Sequence, residues 1–194
     1  ATIRRQRQMC IRDSLMADSR LDLTLFFNSH SGHTLPPALI SIASRAQPMG
    51  QLKWRLSALL SQLIHVPRLH DTILGDASTK NPTIYHATEH LLPRLNCASV
   101  LTVHDLIFER LPEHHTLRNR IFLKLAMPRF VRAADAIIAV SNHSKQDLLE
   151  LYQTPSSKVH VIYEGIDDRF QPAAPNAVST IREQFSPERP YLLM

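Results

Sequence analysis

The sequence predicts an α/β fold built on a parallel, doubly wound sheet. Two observations predict it. From residue 83 to residue 163, apolar β-branched runs alternate with helical patterns, the order of βαβ units in a parallel sheet. The runs also end alike, in His86-Ala87-Thr88, His104-Asp105 and Ser141-Asn142. Ligands of open parallel sheets bind beyond the carboxyl ends of the strands, and right-handed crossovers turn adjacent strand ends toward one crevice.

The elements follow in order. Residues 21–27 (LDLTLFF) alternate and then turn apolar, and Asn28-Ser29-His30-Ser31-Gly32 stops them, giving a strand and a loop. Residues 51–66 form a helix ended by Pro67. Leu52, Leu56, Leu59, Leu60 and Leu63 recur at helical spacing, with Lys53, Arg55, Ser57 and Gln62 off that face. The expected fate of this leucine stripe is packing against the sheet. Trp54, between Lys53 and Arg55, gives the same helix an interfacial composition, so a peripheral membrane contact through 51–66 is the alternative. Residues 71–80 read as a polar loop, 83–86 as a short strand and 99–104 as a stronger one. Residues 116–133 read as a long basic helix interrupted near Pro128, since proline removes a helix hydrogen bond. Residues 136–140 are a fully apolar strand, and Ser141 or Asn142 caps a helix running to about Gln153. Residues 159–163 are the next strand, followed by Gly165 where the chain turns tightly. QPAAPN after Phe170 is a linker by composition, 178–185 a short helix, and Tyr191-Leu192-Leu193-Met194 the opening of another buried strand.

Composition bounds the function. At 194 residues, 44% hydrophobic and 20% charged, the chain can bury one good-sized core. No apolar run approaches the roughly 20 residues of a membrane-spanning helix, and the basic start lacks the apolar core and cleavage site of a signal peptide. Cys10 and Cys97 supply neither a disulfide framework nor paired-ligand spacing, so a reducing, cytoplasmic setting is expected, peripheral on the inner face of the membrane if the 51–66 contact forms. A formal charge of +5 favours anionic partners, although surplus surface arginine explains it equally. No stacking platform or recognition motif accompanies the charge, so no nucleic-acid partner is expected. Among the 11 histidines, His86 and His90 lie four apart and His114 and His115 are adjacent. Neither pair has a helical carboxylate pattern around it, and no metal is expected.

The motifs together resemble a known family. VLTVHDL, PRFVRAADAIIAVSNHSKQDL, KVHVIYEGIDDRFQP and YHATEHLLP resemble the N-terminal domain of retaining glycosyltransferases of family four, and YLLM is similar to the opening strand of the family's C-terminal domain. The resemblance implies a Rossmann-like sheet forming the N-terminal half of a GT-B fold. It implies transfer of a hexose from a nucleotide-sugar donor to a sugar or lipid-linked acceptor with retention of configuration, without a cofactor or metal. This domain shapes the acceptor side. The family's donor-binding basic residues and glutamate pair belong to the other domain, so this chain is expected to be inactive alone. Its alternatives are a GT-B-shaped nucleotide-sugar epimerase and a non-catalytic sugar- or nucleotide-binding domain. Residues 5–14 (RQRQMCIRDS) resemble translated sequencing-adaptor read-through. The expected organisation is therefore a non-native segment over 1–15, the acceptor-side domain over 16–172, and over 173–194 a linker and the start of the donor-binding domain. The family's glycine-bearing first loop is not evident among the chain's four glycines, because Gly32 fits the end of a second strand better than a first.

The site residues follow from the strand ends. His104 is the leading catalytic candidate, because the family's histidine at this place lies near the transferred sugar and an imidazole can bond hydroxyl or phosphate oxygens. Asp105 joins it as a catalytic candidate, or orders the turn. His86 and Thr88 are substrate-binding candidates, with Glu89 and His90 beside them; the alternative is that Thr88 or His90 only caps the local turn. Ser141 opens a helix whose unpaired N–H groups favour an anion, or is simply its N-cap. Lys145 matches a family lysine or lies on a solvated helix face. Glu164 and Gly165 end the last strand at the family's interdomain turn, Glu164 as a cleft residue and Gly165 for conformation.

Overall fold

The computed structural model describes residues 15–16, 18–32, 34–35, 39–64, 83–165, 171–172 and 174–185. The chain divides into two compact units, Ala1–Glu164 and Gly165–Met194. The segment read as non-native lies outside the described residues up to residue 14, as do Pro67, the polar loop at 71–80 and the strand opening at Tyr191.

Among its described residues the first unit is α/β, and every strand pair is parallel. Its described strands fall into two sheets. β1 (Leu25–Asn28) pairs in parallel with β2 (Ser44–Gln47), Leu25 opposite Ser44. β3 (Ile84–Ala87), β4 (Ala98–Val103), β5 (Ala136–Ala139) and β6 (Val159–Val161) form a second sheet in that order. Strands adjacent in sequence and parallel in space require a crossover between each pair. α1 (Gln51–Ile64) follows β2, while α2 (Ile107–Arg110) and α3 (Leu117–Ala133) link β4 to β5. α4 (Asn142–Tyr152) links β5 to β6.

The core lies between the four-stranded sheet and its helices. Leu101, Val103, Ile137, Ala139 and Val159 from the strands meet Phe108, Met127, Phe130 and Leu148, all at most 2% exposed. Ala58 of α1 joins this cluster, whereas no residue of β1 or β2 does.

Two expectations are corrected. The helix over 116–133 is not interrupted: α3 runs unbroken with Pro128 inside it. A proline in a helix interior costs about 3 kcal/mol. α3 buries Leu123, Ala126, Met127, Phe130 and Val131, and burial worth roughly 1.5–3 kcal/mol for each large side chain outweighs that cost.

The leucine stripe of α1 does not pack inward. Leu52, Leu56, Leu60 and Leu63 are 45–50% exposed, and Ile64 more so. The inward face is Trp54, Ala58 and Ser61, with Leu59 partly buried. Small residues at 58 and 61 let the helix approach closely. Trp54 lies against Phe26 of β1, ring centroids 5.4 Å apart. Ser61 Oγ accepts from the Arg94 backbone N–H at 2.9 Å, and Gln62 Nε2 donates to the Leu92 carbonyl at 2.8 Å. Two backbone groups of the loop after β3 are therefore satisfied by α1, and polar pairing sets the helix's rotation where apolar spacing alone points the other way.

In the second unit, α5 (Pro175–Phe185) is a helix with Val178, Ile181 and Phe185 exposed.

Candidate functional site at the strand ends

Each strand of the four-stranded sheet contributes to one cluster at its carboxyl end, and His104 is the centre. It is the first residue after β4, and its side chain is 12% exposed. Ring atom Nδ1 lies 2.9 Å from Glu164 Oε1, three residues beyond β6. Nε2 lies 3.0 Å from the carbonyl oxygen of Thr88, the residue after β3. The His104 carbonyl accepts from the Ser144 hydroxyl at 3.0 Å, and Ser144 lies in the first turn of α4, just past β5. One residue thus ties together the ends of four strands. The His90 ring stands edge-on to His104, centroids 6.3 Å apart.

Ser141 is the N-cap of α4. Its Oγ accepts from the Ser144 N–H at 3.0 Å, and its own hydroxyl donates to Ser144 Oγ at 3.1 Å. An N-cap serine satisfies one of the orphan N–H groups of the first turn. It also sets the serine whose hydroxyl reaches the His104 backbone. Asn142 Nδ2 donates to the Tyr163 hydroxyl at 2.9 Å, a further tie to the exit of β6.

The other sequence candidates divide. Glu164 and the Thr88 backbone stand in the cluster. Asp105 lies beside it, with Oδ1 accepting from the Ile107 N–H at 3.2 Å, the contact that orders the turn into α2. His86 is turned toward the sheet: its Nε2 lies 2.8 Å from Oγ1 of the wholly buried Thr102, and burial holds its pKa below the ordinary value. It is not brought to His104. Lys145 Nζ donates to the Val159 carbonyl at 3.0 Å. Gly165 is exposed and begins the second unit. Ser144 was not among the sequence candidates. The signal for it was the serine–x–x–serine spacing at 141–144, since an N-cap side chain meets the residue three positions on.

Chemically, the cluster offers hydrogen-bond donors and a carboxylate at the mouth of a parallel sheet, where such folds bind ligands. Among the described residues, no group of three or more His, Cys, Asp or Glu side chains is placed to hold a metal ion.

A family model, Glycosyltransferase Family 4, matches residues 17–170. The chain belongs to glycosyltransferase family 4. With its parallel α/β architecture, this family-four chain is of the Rossmann-like type that forms the N-terminal half of a GT-B fold. Two solved structures similar to it are of HepE from Anabaena. One, in complex with UDP and glucose, has 20% identity and TM-score 0.41, covering 75% of this chain and 37% of its own. The other, in complex with UDP-glucose, has 20% identity and TM-score 0.43, covering 83% and 49%. The family-four chain thus spans less than half the length of either. No curated protein matches it.

Proposed function

We propose that the protein containing this chain transfers a hexose from a nucleotide-sugar donor to a sugar or lipid-linked acceptor, retaining the anomeric configuration and using no cofactor. The chain supplies the acceptor wall of the cleft and is inactive without the donor-binding half. The convergence of four parallel strand ends on His104, in a family-four domain, carries this reading. Catalysis in such a cleft rests on positioning and on electrostatic stabilisation of the departing diphosphate. A panel of nucleotide-hexoses and acceptors, followed by proton NMR of the new glycosidic bond, tests it in the full-length protein. Retained configuration is expected, and product formed from donor alone would support an epimerase instead.

Peripheral contact with an anionic membrane accompanies this function. Its support is the exposed stripe of α1 together with the charge of the helices beside it. α3 adjoins α1, with Arg55 hydrogen-bonded to Asn119 and 4.4 Å above the Phe122 ring. α3 carries its own exposed Leu117, Ile121 and Leu125. Neither helix contains an acidic residue, and both are basic, through Lys53 and Arg55, and through Arg118, Arg120, Lys124, Arg129 and Arg132. No helix among the described residues is long and apolar enough to cross a membrane. Covering half-exposed leucines contributes about 1 kcal/mol apiece, and each basic residue at an anionic surface about 1 kcal/mol more. The chain is expected to co-sediment with phosphatidylglycerol-rich vesicles and not with neutral ones, and L56E/L60E to abolish it. Equal binding to both vesicle types would contradict the contact.

A further inference from the structure

We infer that Glu164 is a positioning residue for the His104 ring: its side chain spans from the exit of β6 to Nδ1 and fixes the plane in which Nε2 is presented. The inference rests on geometry. The outer side-chain torsion of a histidine is broad and roughly two-fold, so rotamer preference does not choose which ring edge faces a ligand. The Ser144 hydroxyl holds the His104 carbonyl at 3.0 Å, which places the backbone and leaves the ring to turn. The ring is set from outside, at two atoms. Nδ1 lies 2.9 Å from Glu164 Oε1, and Nε2 lies 3.0 Å from the Thr88 carbonyl oxygen. A half-turn of the ring would put a carbon atom at each of these places.

The two anchors differ in what a ligand does to them. The Thr88 carbonyl occupies Nε2, so a sugar or phosphate oxygen arriving there takes its place, and Glu164 remains as the contact that holds the ring. This step rests on the cleft reading above; the setting of the ring does not. Glu164 is built to be the fixed end. The Ile162 N–H donates to the Ala139 carbonyl at 3.0 Å, which carries the exit segment alongside β5. The Tyr163 hydroxyl accepts from Asn142 Nδ2 at 2.9 Å. The two residues before Glu164 are thus tied to β5 and to the start of α4. The length of the glutamate closes the remaining gap, and an aspartate at this position would end about 1.5 Å short, the length of one carbon–carbon bond.

Crystal structures of the wild-type protein and of E164A test the ring directly. In E164A the His104 ring is expected to turn away from the Thr88 carbonyl or to spread over two orientations. A ring that superimposes on the wild-type one overturns the inference, and E164D gives the same reading should E164A not fold. In the full-length protein, E164A is expected to lower kcat/KM for transfer on the order of tenfold, within the range for a misplaced group at a reacting centre. With H104A already present, it is expected to cost nothing further, since both changes act through one ring. E164Q keeps the length, and its amide can donate or accept, so it restores most of the loss whichever ring nitrogen carries hydrogen. Equal losses in the two backgrounds, or an E164Q protein no better than E164A, also overturn the inference. If the wild-type protein transfers no sugar, the transferase reading falls, and the crystal structures still decide whether Glu164 sets the ring.

Discussion

The two parallel sheets of the first unit are held together very differently. In β3 to β6 the strands contribute Leu101, Val103, Ile137, Ala139 and Val159 to a core closed by Phe108, Met127 and Phe130. In β1 and β2 no residue is buried, and Phe26 rests on Trp54 of α1. Strand pairing alone does not stabilise two short strands, and they need a covering face. The four-stranded sheet therefore carries the stability and gives His104 a rigid base. The two-stranded sheet depends on its helix.

Three results would break or sharpen that contrast. The largest effect belongs to F130A, which removes a wholly buried ring from α3 and is expected to cost about 3–5 kcal/mol in denaturant unfolding. Next is S141A, which removes the α4 cap and loosens Ser144 beneath His104, at about 1 kcal/mol. The smallest global effect belongs to F26A. It is expected to speed hydrogen exchange of the β1 and β2 amides by local opening while leaving the main unfolding transition almost in place. If F26A shifted that transition as far as F130A does, the two sheets would be one cooperative unit.

The legible part of the fold follows the same division. β4 and β5 are apolar, largely β-branched runs with much of their length buried, and β3 and β6 sit in shorter runs of the same kind, so all four are read within a residue or two. β2 was missed because Ser-Arg-Ala-Gln has no apolar pattern, and its strand exists through pairing with β1. α1 was located correctly but rotated wrongly. Hydrophobic spacing pointed its leucines inward, whereas Trp54, Ser61 and Gln62 made the specific contacts. At the site, the place of His104 at a strand end was legible from its preceding run. Its bond to Glu164 was not, because the two are sixty residues apart in sequence and only the sheet order brings them together. The contact of His86 with the buried Thr102 was likewise not legible, because the two are sixteen residues apart and meet only across neighbouring strands.

The claim that joins these results is that His104 stands in the cleft and meets the substrates. Release of nucleotide diphosphate by the full-length protein, compared between wild type and H104A at equal folded fraction, tests it most directly. A fall in kcat/KM of about 100-fold or more is expected, the scale for losing a preorganised donor at a reacting centre. A folded H104A protein that transfers sugar at the wild-type rate would contradict it, leaving His104 as a tie between strand ends and nothing more.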